Sequence, residues 1–146
     1  MERLYPIGIQ NFEDLRRNGY IYVDKTALIH RLVRTGKYYF LGRPRRFGKS
    51  LMISTLEAYF QGKRELFKRL DIEKLEKEWT VRPVLHIDLN GQEYKSRQDL
   101  EDMLNSYLAK WEKMYGCETS ETSASLRFSA IIRNAAKQTG QNVAIL

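Results

Sequence analysis

Leu41-Gly42-Arg43-Pro44-Arg45-Arg46-Phe47-Gly48-Lys49-Ser50 is the stretch whose reading decides the rest of the chain. The apolar run before it, Tyr38-Tyr39-Phe40-Leu41, predicts a short buried strand. The residues after it, Leu51 to Phe60, predict a helix. A strand, a loop closing on Gly-Lys-Ser and a helix form the context of a phosphate-binding loop. The first amides of a helix have no partner within it, and the helix dipole adds positive potential at that end. A phosphate chain fits there. In this reading Gly48 lets the backbone approach the phosphate and Lys49 reaches the outer phosphates as a mobile point charge. The Ser50 hydroxyl holds a magnesium ion.

The full pattern G-x-x-x-x-G-K-[ST] fails by one position. Its first glycine should fall at Arg43, and Gly42 stands one residue too early. Either the loop is longer by one residue or its first turn is made without glycine. Pro44 would stiffen such a turn, because its ring fixes φ. The competing reading is a basic surface loop with an accidental Gly-Lys-Ser. Arg45 and Arg46 are unusual neighbours for such a loop. They suit a bidentate grip on phosphate, an ion pair with carboxylates of a partner or of a missing segment, or an arginine finger on the outer phosphate. The sequence does not choose among these.

Tyr22-Val23-Asp24-Lys25-Thr26, followed by the residues from Tyr39 through Leu51, resembles the AAA-ATPase-like family. The opening Tyr5-Pro6-Ile7-Gly8-Ile9 and the later Pro83-Val84-Leu85-His86-Ile87-Asp88 are similar to it too. The resemblance covers nearly the whole chain, and the core Arg-Pro-Arg-Arg-Phe-Gly-Lys-Ser is specific. It implies that arginine at position 43 is the normal register. It also implies ATP and Mg2+ as ligands, with Arg43, Pro44, Arg45, Arg46, Phe47, Gly48, Lys49, Ser50 and Leu51 forming the nucleotide site. Ser50 would also be the metal ligand. Members of the family usually continue into a second P-loop motif, a further ATPase core and a C-terminal domain similar to PD-(D/E)XK nucleases. None of these is in the 146 residues.

A length of 146 residues suits one domain with a real core. The formal charge of +7 favours anionic partners, nucleotide or nucleic acid. Much of that charge belongs to solvated helix faces, and only Arg43, Arg45, Arg46 and Lys49 are dense enough for a local argument. No apolar run approaches the roughly 20 residues of a membrane span. The segment Met1 to Pro6 has no basic-then-apolar signal pattern. The single cysteine, Cys117, excludes an internal disulfide framework. A cytoplasmic location is the default expectation, and nothing sets the oligomeric state.

Along the chain, a short helix is expected around Phe12 to Arg17. By analogy with other P-loop ATPases, Ile7 and Ile9 are candidates for an apolar wall against the base. Tyr20 to Val23 is β-prone. Asp24 is a candidate N-cap for a helix Lys25–Thr35 that Gly36 stops. The apolar face of that helix should carry Ala27, Leu28, Leu32 and Val33, with Ile29 at its edge. The helix after the loop should turn Leu51, Met52, Thr55, Leu56 and Tyr59 toward a sheet. Gly62 to Trp79 has a helical pattern and should cover a sheet edge. Val84 to Leu89 reads as the second strand. His86 within it is a packed or surface residue rather than a metal ligand. Asp88 reads as a turn-capping aspartate, with a place near a magnesium site as the alternative. Ser96 to Tyr115 reads as an amphipathic helix with Ser96 and Asp99 as a capping pair. Residues 117–123 read as a polar connector, Leu126 to Thr139 as a helix, and Gly140 as its stop.

Val143-Ala144-Ile145-Leu146 reads as the start of a buried strand. In the resembling family this strand carries the Walker B acids, so the chain is expected to be the N-terminal portion of an ATPase. The expected fold is α/β: a partial P-loop NTPase fold with three α/β/α layers and a mostly parallel sheet. The expected function is ATP binding, with hydrolysis in the parent and no turnover, hence no catalytic residue, in this portion. The alternative is a module that binds a nucleic-acid backbone through Arg43, Arg45, Arg46 and Lys49. A third reading is a scaffold that has lost catalysis and serves protein contacts.

Overall fold

The computed structural model describes residues 4–90, 93–117 and 123–146. Among these there are six α-helices, one 3-10 helix and two short strands. The strands pair in parallel, so the chain is helix-rich α/β rather than the expected three-layer sheet structure. It divides into two compact units, one up to Val81 and one from Arg82 to Leu146.

The first unit is helical. Helix α1 (Phe12–Arg17) starts at Asn11, whose side chain accepts the Asp14 amide, with acids in its first turn and arginines in its last. Both ends therefore complement the helix dipole. Helix α2 (Thr26–Thr35) follows, then α3 (Lys49–Phe60), the 3-10 helix Arg64–Phe67 and α4 (Asp71–Leu75). Phe12 and Phe67 are fully buried, with ring centroids 4.9 Å apart. The aromatic contacts continue from Phe67 to Trp79 and from Trp79 to Tyr59. The Phe12 amide donates to Ser54 Oγ at 2.9 Å, pinning α1 to α3. Arg16 donates to the carbonyls of Leu66 and Lys68, each at 2.7 Å, and closes the 3-10 helix against α1.

Five expectations for this unit are corrected. Tyr20 to Val23 forms no strand. Tyr38 to Leu41 forms no strand either, and its side chains face solvent, Tyr38 at 94 % and Phe40 at 96 %. A strand exists only where a neighbour supplies its ladder, and here none does among the described residues. On α2 the buried residues are Thr26 and Ile29, while Leu28 is exposed, so the inward face is turned from the expected one. On α3 the buried residues are Thr55, Leu56 and Ala58, and they meet helices rather than a sheet. The pattern from Gly62 to Trp79 is not one helix over a sheet edge. It breaks at Arg69, whose φ of +63° no helix accommodates.

The second unit holds the sheet. Strands β1 (Val84–Leu85) and β2 (Ala144–Ile145) run parallel in the register Val84↔Ala144. Flanking bonds extend the pairing, from the Ile87 amide to the Leu146 carbonyl and from the Ala144 amide to the Pro83 carbonyl. The strand expected to reach Leu89 thus ends early. Helices α5 (Arg97–Met114) and α6 (Ala124–Thr139) cover the sheet with a core of Leu85, Leu108, Trp111 and Ile131. Ser96 and Asp99 form the expected capping box, and Gly140 ends α6. Arg127 on α6 grips Glu112 on α5 through two nitrogens at 2.7 and 2.8 Å. Of the polar connector, residues 118–122 lie outside the described residues.

Candidate functional site

The residues from Arg43 to Leu51 form an exposed loop running into the amino end of α3. The N-cap of α3 is Gly48, at φ +77°. No side chain caps this end, and its first turn contains no acid. The positive end of a twelve-residue helix is therefore left open. Two residues earlier Arg46 also has positive φ, +65°, one of only two described non-glycine residues to do so. Left-handed φ at 46 and 48, with Phe47 between them outside that region, is the alternation of backbone hands from which nests of successive amides are built. Such a nest binds anions. A non-glycine residue pays about 1–2 kcal/mol for this conformation, and strain of that kind gathers at functional sites.

Lys49 belongs to the same structure. Its ammonium donates to the carbonyls of Arg43 at 2.6 Å and Pro44 at 2.9 Å, and so draws the first half of the loop over the start of α3. The missing glycine at position 43 is thereby explained: the turn is made by Arg46, and Arg43 contributes a carbonyl. Ser50 is exposed in the first turn of α3, and Leu51 is half-buried just inside it. Among the described residues, no carboxylate pairs with Arg43, Arg45, Arg46 or Lys49.

On the other side of the loop, the lead-in is fastened by Tyr39. Its hydroxyl donates to the Leu32 carbonyl of α2 at 2.6 Å and lies 3.1 Å from Thr35 Oγ1. Gly36 stops α2 as expected, but in an extended conformation. Its reason is close approach: a Cβ there would stand 2.7 Å from the Tyr39 hydroxyl. Nothing in the sequence signals this contact.

Asp24, Lys25 and Thr26 act upstream. Asp24 Oδ1 accepts the Thr26 amide at 2.8 Å and the Thr26 hydroxyl at 2.7 Å. The N-cap of α2 is Lys25, which makes no side-chain cap bond, so Asp24 stands one residue ahead of its expected place and accepts only from the first helical residue. Its other oxygen accepts the Asp71 amide, and Thr26 Oγ1 accepts the Ile72 amide at 3.1 Å. The same two side chains therefore cap α4 as well. Burial works against the Asp24 charge, yet the bonds from Thr26 and Asp71, with Arg16 nearby, outweigh it and hold its pKa below the ordinary value. The carboxylate is fully engaged in joining two helices.

Glu76 is a buried carboxylate that the charged run around it does not advertise. Its side chain is 1 % exposed. It accepts the Tyr59 hydroxyl at 2.5 Å, the Glu78 amide at 3.0 Å and Arg34 at 3.1 Å. Burial again opposes the charge, and these donors again prevail, so its pKa is lowered. These contacts tie α2 and α3 together behind the loop.

The remaining candidates stand apart from this loop or outside its contacts. Ile7 is exposed and Ile9 half-buried. Asp88 lies in the second unit and accepts the Asn90 amide and side-chain nitrogen, both at 2.9 Å, which is the turn-capping role expected. Cys117 is half-buried and accepts from the Asn134 side chain. Among the described residues, no group of three or more His, Cys, Asp or Glu is placed to hold a metal ion, and no helix is long and apolar enough to cross a membrane.

A family model for AAA-ATPase-like proteins, described as predicted AAA-ATPases, matches residues 6–146. A curated relative from Azotobacter chroococcum mcd 1, described as an uncharacterized protein in the vnfD 5' region, is 39 % identical over 143 residues. That match covers 97 % of this chain and 28 % of the relative, so the chain spans little more than a quarter of that protein's length. No solved structure matches.

Proposed function

The chain belongs to the AAA-ATPase-like family, and from that premise we propose that its loop Arg43–Leu51 binds the phosphates of ATP with Mg2+. The reading takes the first unit as part of a P-loop NTPase fold. The observation that carries it is the left-handed backbone at Arg46 and Gly48 ahead of the uncapped end of α3. These residues fit a polyphosphate. The amides supply donors, the third N–H of the Lys49 ammonium can reach a phosphate oxygen while two hold the carbonyls of Arg43 and Pro44, and the first turn of α3 contains no acid. Mg2+ characteristically takes one or two protein ligands and completes its shell with water and substrate phosphate. The exposed Ser50 hydroxyl suits that role. Bound Mg2+ would neutralise charge on the outer phosphates. The proposal for this chain is nucleotide binding.

Calorimetric titration of the pure chain with ATP tests the proposal. Saturable binding that needs Mg2+ and is lost in Lys49→Ala is expected. No binding at millimolar ATP, or binding indifferent to Lys49→Ala, rejects it.

A second reading has one observation in its favour: three exposed arginines, Arg43, Arg45 and Arg46, stand together without carboxylate partners. They suit a nucleic-acid backbone. Such binding weakens steeply with salt, in proportion to the phosphates contacted. A nucleotide site instead shows Mg2+ dependence and a melting shift with ATP.

A further inference from the structure

We propose that Tyr39 is a positioning residue for the phosphate loop. The inference rests on the nucleotide reading above and deepens it.

The loop hangs between two fixed points. On one side the Tyr39 hydroxyl is held by the Leu32 carbonyl, beside Thr35 Oγ1. On the other, the Lys49 ammonium holds the carbonyls of Arg43 and Pro44. Only residues 40–42 lie between. The neighbours of Tyr39 give no help, since Tyr38 and Phe40 project almost wholly into solvent. Gly36 leaves room for the hydroxyl, because a Cβ there would collide with it. Side chain and glycine together make a strut from the end of α2 to the start of the loop.

The size of the effect follows from chain entropy. Without the hydroxyl bond the free span grows from residues 40–42 to residues 36–42. Holding a span costs entropy as the logarithm of its length, which weakens the grip on polyphosphate roughly threefold. The backbone amides that meet the phosphate are unaltered; only their average placement loosens.

The test compares Tyr39→Phe and Gly36→Ala in the full chain with Tyr38→Phe, which removes the same hydroxyl from the exposed neighbour. Backbone order parameters for residues 40–47 are read by NMR without nucleotide, and Mg-ATP affinity by calorimetry. Tyr39→Phe and Gly36→Ala should each lower the order parameters and weaken Mg-ATP binding roughly threefold. Tyr38→Phe should change neither. Order parameters unmoved by Tyr39→Phe, or moved equally by Tyr38→Phe, overturn the inference. Should the loop loosen in Tyr39→Phe while the parent chain binds no Mg-ATP, the strut stands and the nucleotide reading falls. Should Mg-ATP bind through Lys49 with Tyr39→Phe indistinguishable from the parent, the reading stands and the strut falls.

Discussion

The amide of Asp71 donates to the carboxylate of Asp24 at 2.7 Å, across 47 positions of sequence. One acceptor thus serves the first turns of both α2 and α4, and the buried Thr26 hydroxyl completes the joint by accepting the Ile72 amide. Asp24→Ala leaves three donors without their acceptor. Hydrogen bonds to a charged group contribute about 1.5–3 kcal/mol each at best, and water reaches part of this site, so a loss of about 2 kcal/mol is expected. Thr26→Val, which keeps the shape, should cost about 1 kcal/mol. Denaturant unfolding measures both. A change below half a kilocalorie in Asp24→Ala would mean that the joint does not hold the helices.

Acid should loosen the first unit through Asp24 and Glu76. Both carboxyls have folded-state pKa values below their ordinary 3.8 and 4.5, because hydrogen bonds overcome the opposition of burial. The unfolded chain therefore binds more protons in acid than the folded one. The stability they contribute is fully present above pH 4.5 and disappears as pH falls through the lower folded values. Circular dichroism across pH 2–7 should show an acid limb that is shallower in Asp24→Asn and in Glu76→Gln. An identical limb in both variants would assign acid unfolding to other groups.

Arg46 and Gly48 should respond in opposite senses to substitution, since both have left-handed backbone. Gly48→Ala places a side chain where φ is +77°, at a cost of about 1 kcal/mol. Arg46→Gly relieves the same strain but adds freedom to the unfolded chain, for a net gain of up to about 1 kcal/mol. Melting temperatures decide the matter. If Arg46→Gly is destabilising by as much as Gly48→Ala, the guanidinium has a structural contact that outweighs the strain.

Helices were legible in the sequence because their signals are local. Ser96 with Asp99 and the Gly140 stop both sit within one turn of the boundary they set. The run Tyr38 to Leu41 misled, because a strand is defined by a partner that four apolar residues do not name. The uncapped start of α3 follows Gly48 as the sequence suggests, whereas the turn before it was not visible, since it rests on a left-handed arginine at position 46. Asp24 was readable as an acceptor at the start of the helix beside it, although the N-cap position falls on Lys25. Its second amide lies too far along the chain for any local rule to find, and so does the Tyr59 hydroxyl that reaches Glu76.

The parallel pairing of β1 with β2 carries a kinetic cost. Strands running the same way cannot be joined by a hairpin, and here the chain traverses both α5 and α6 before Ala144 arrives beside Val84. A ladder two residues long must offset the closure of that whole circuit. In the ordering of events, the two helices have near neighbours to nucleate on, and the sheet is the contact that waits for everything else.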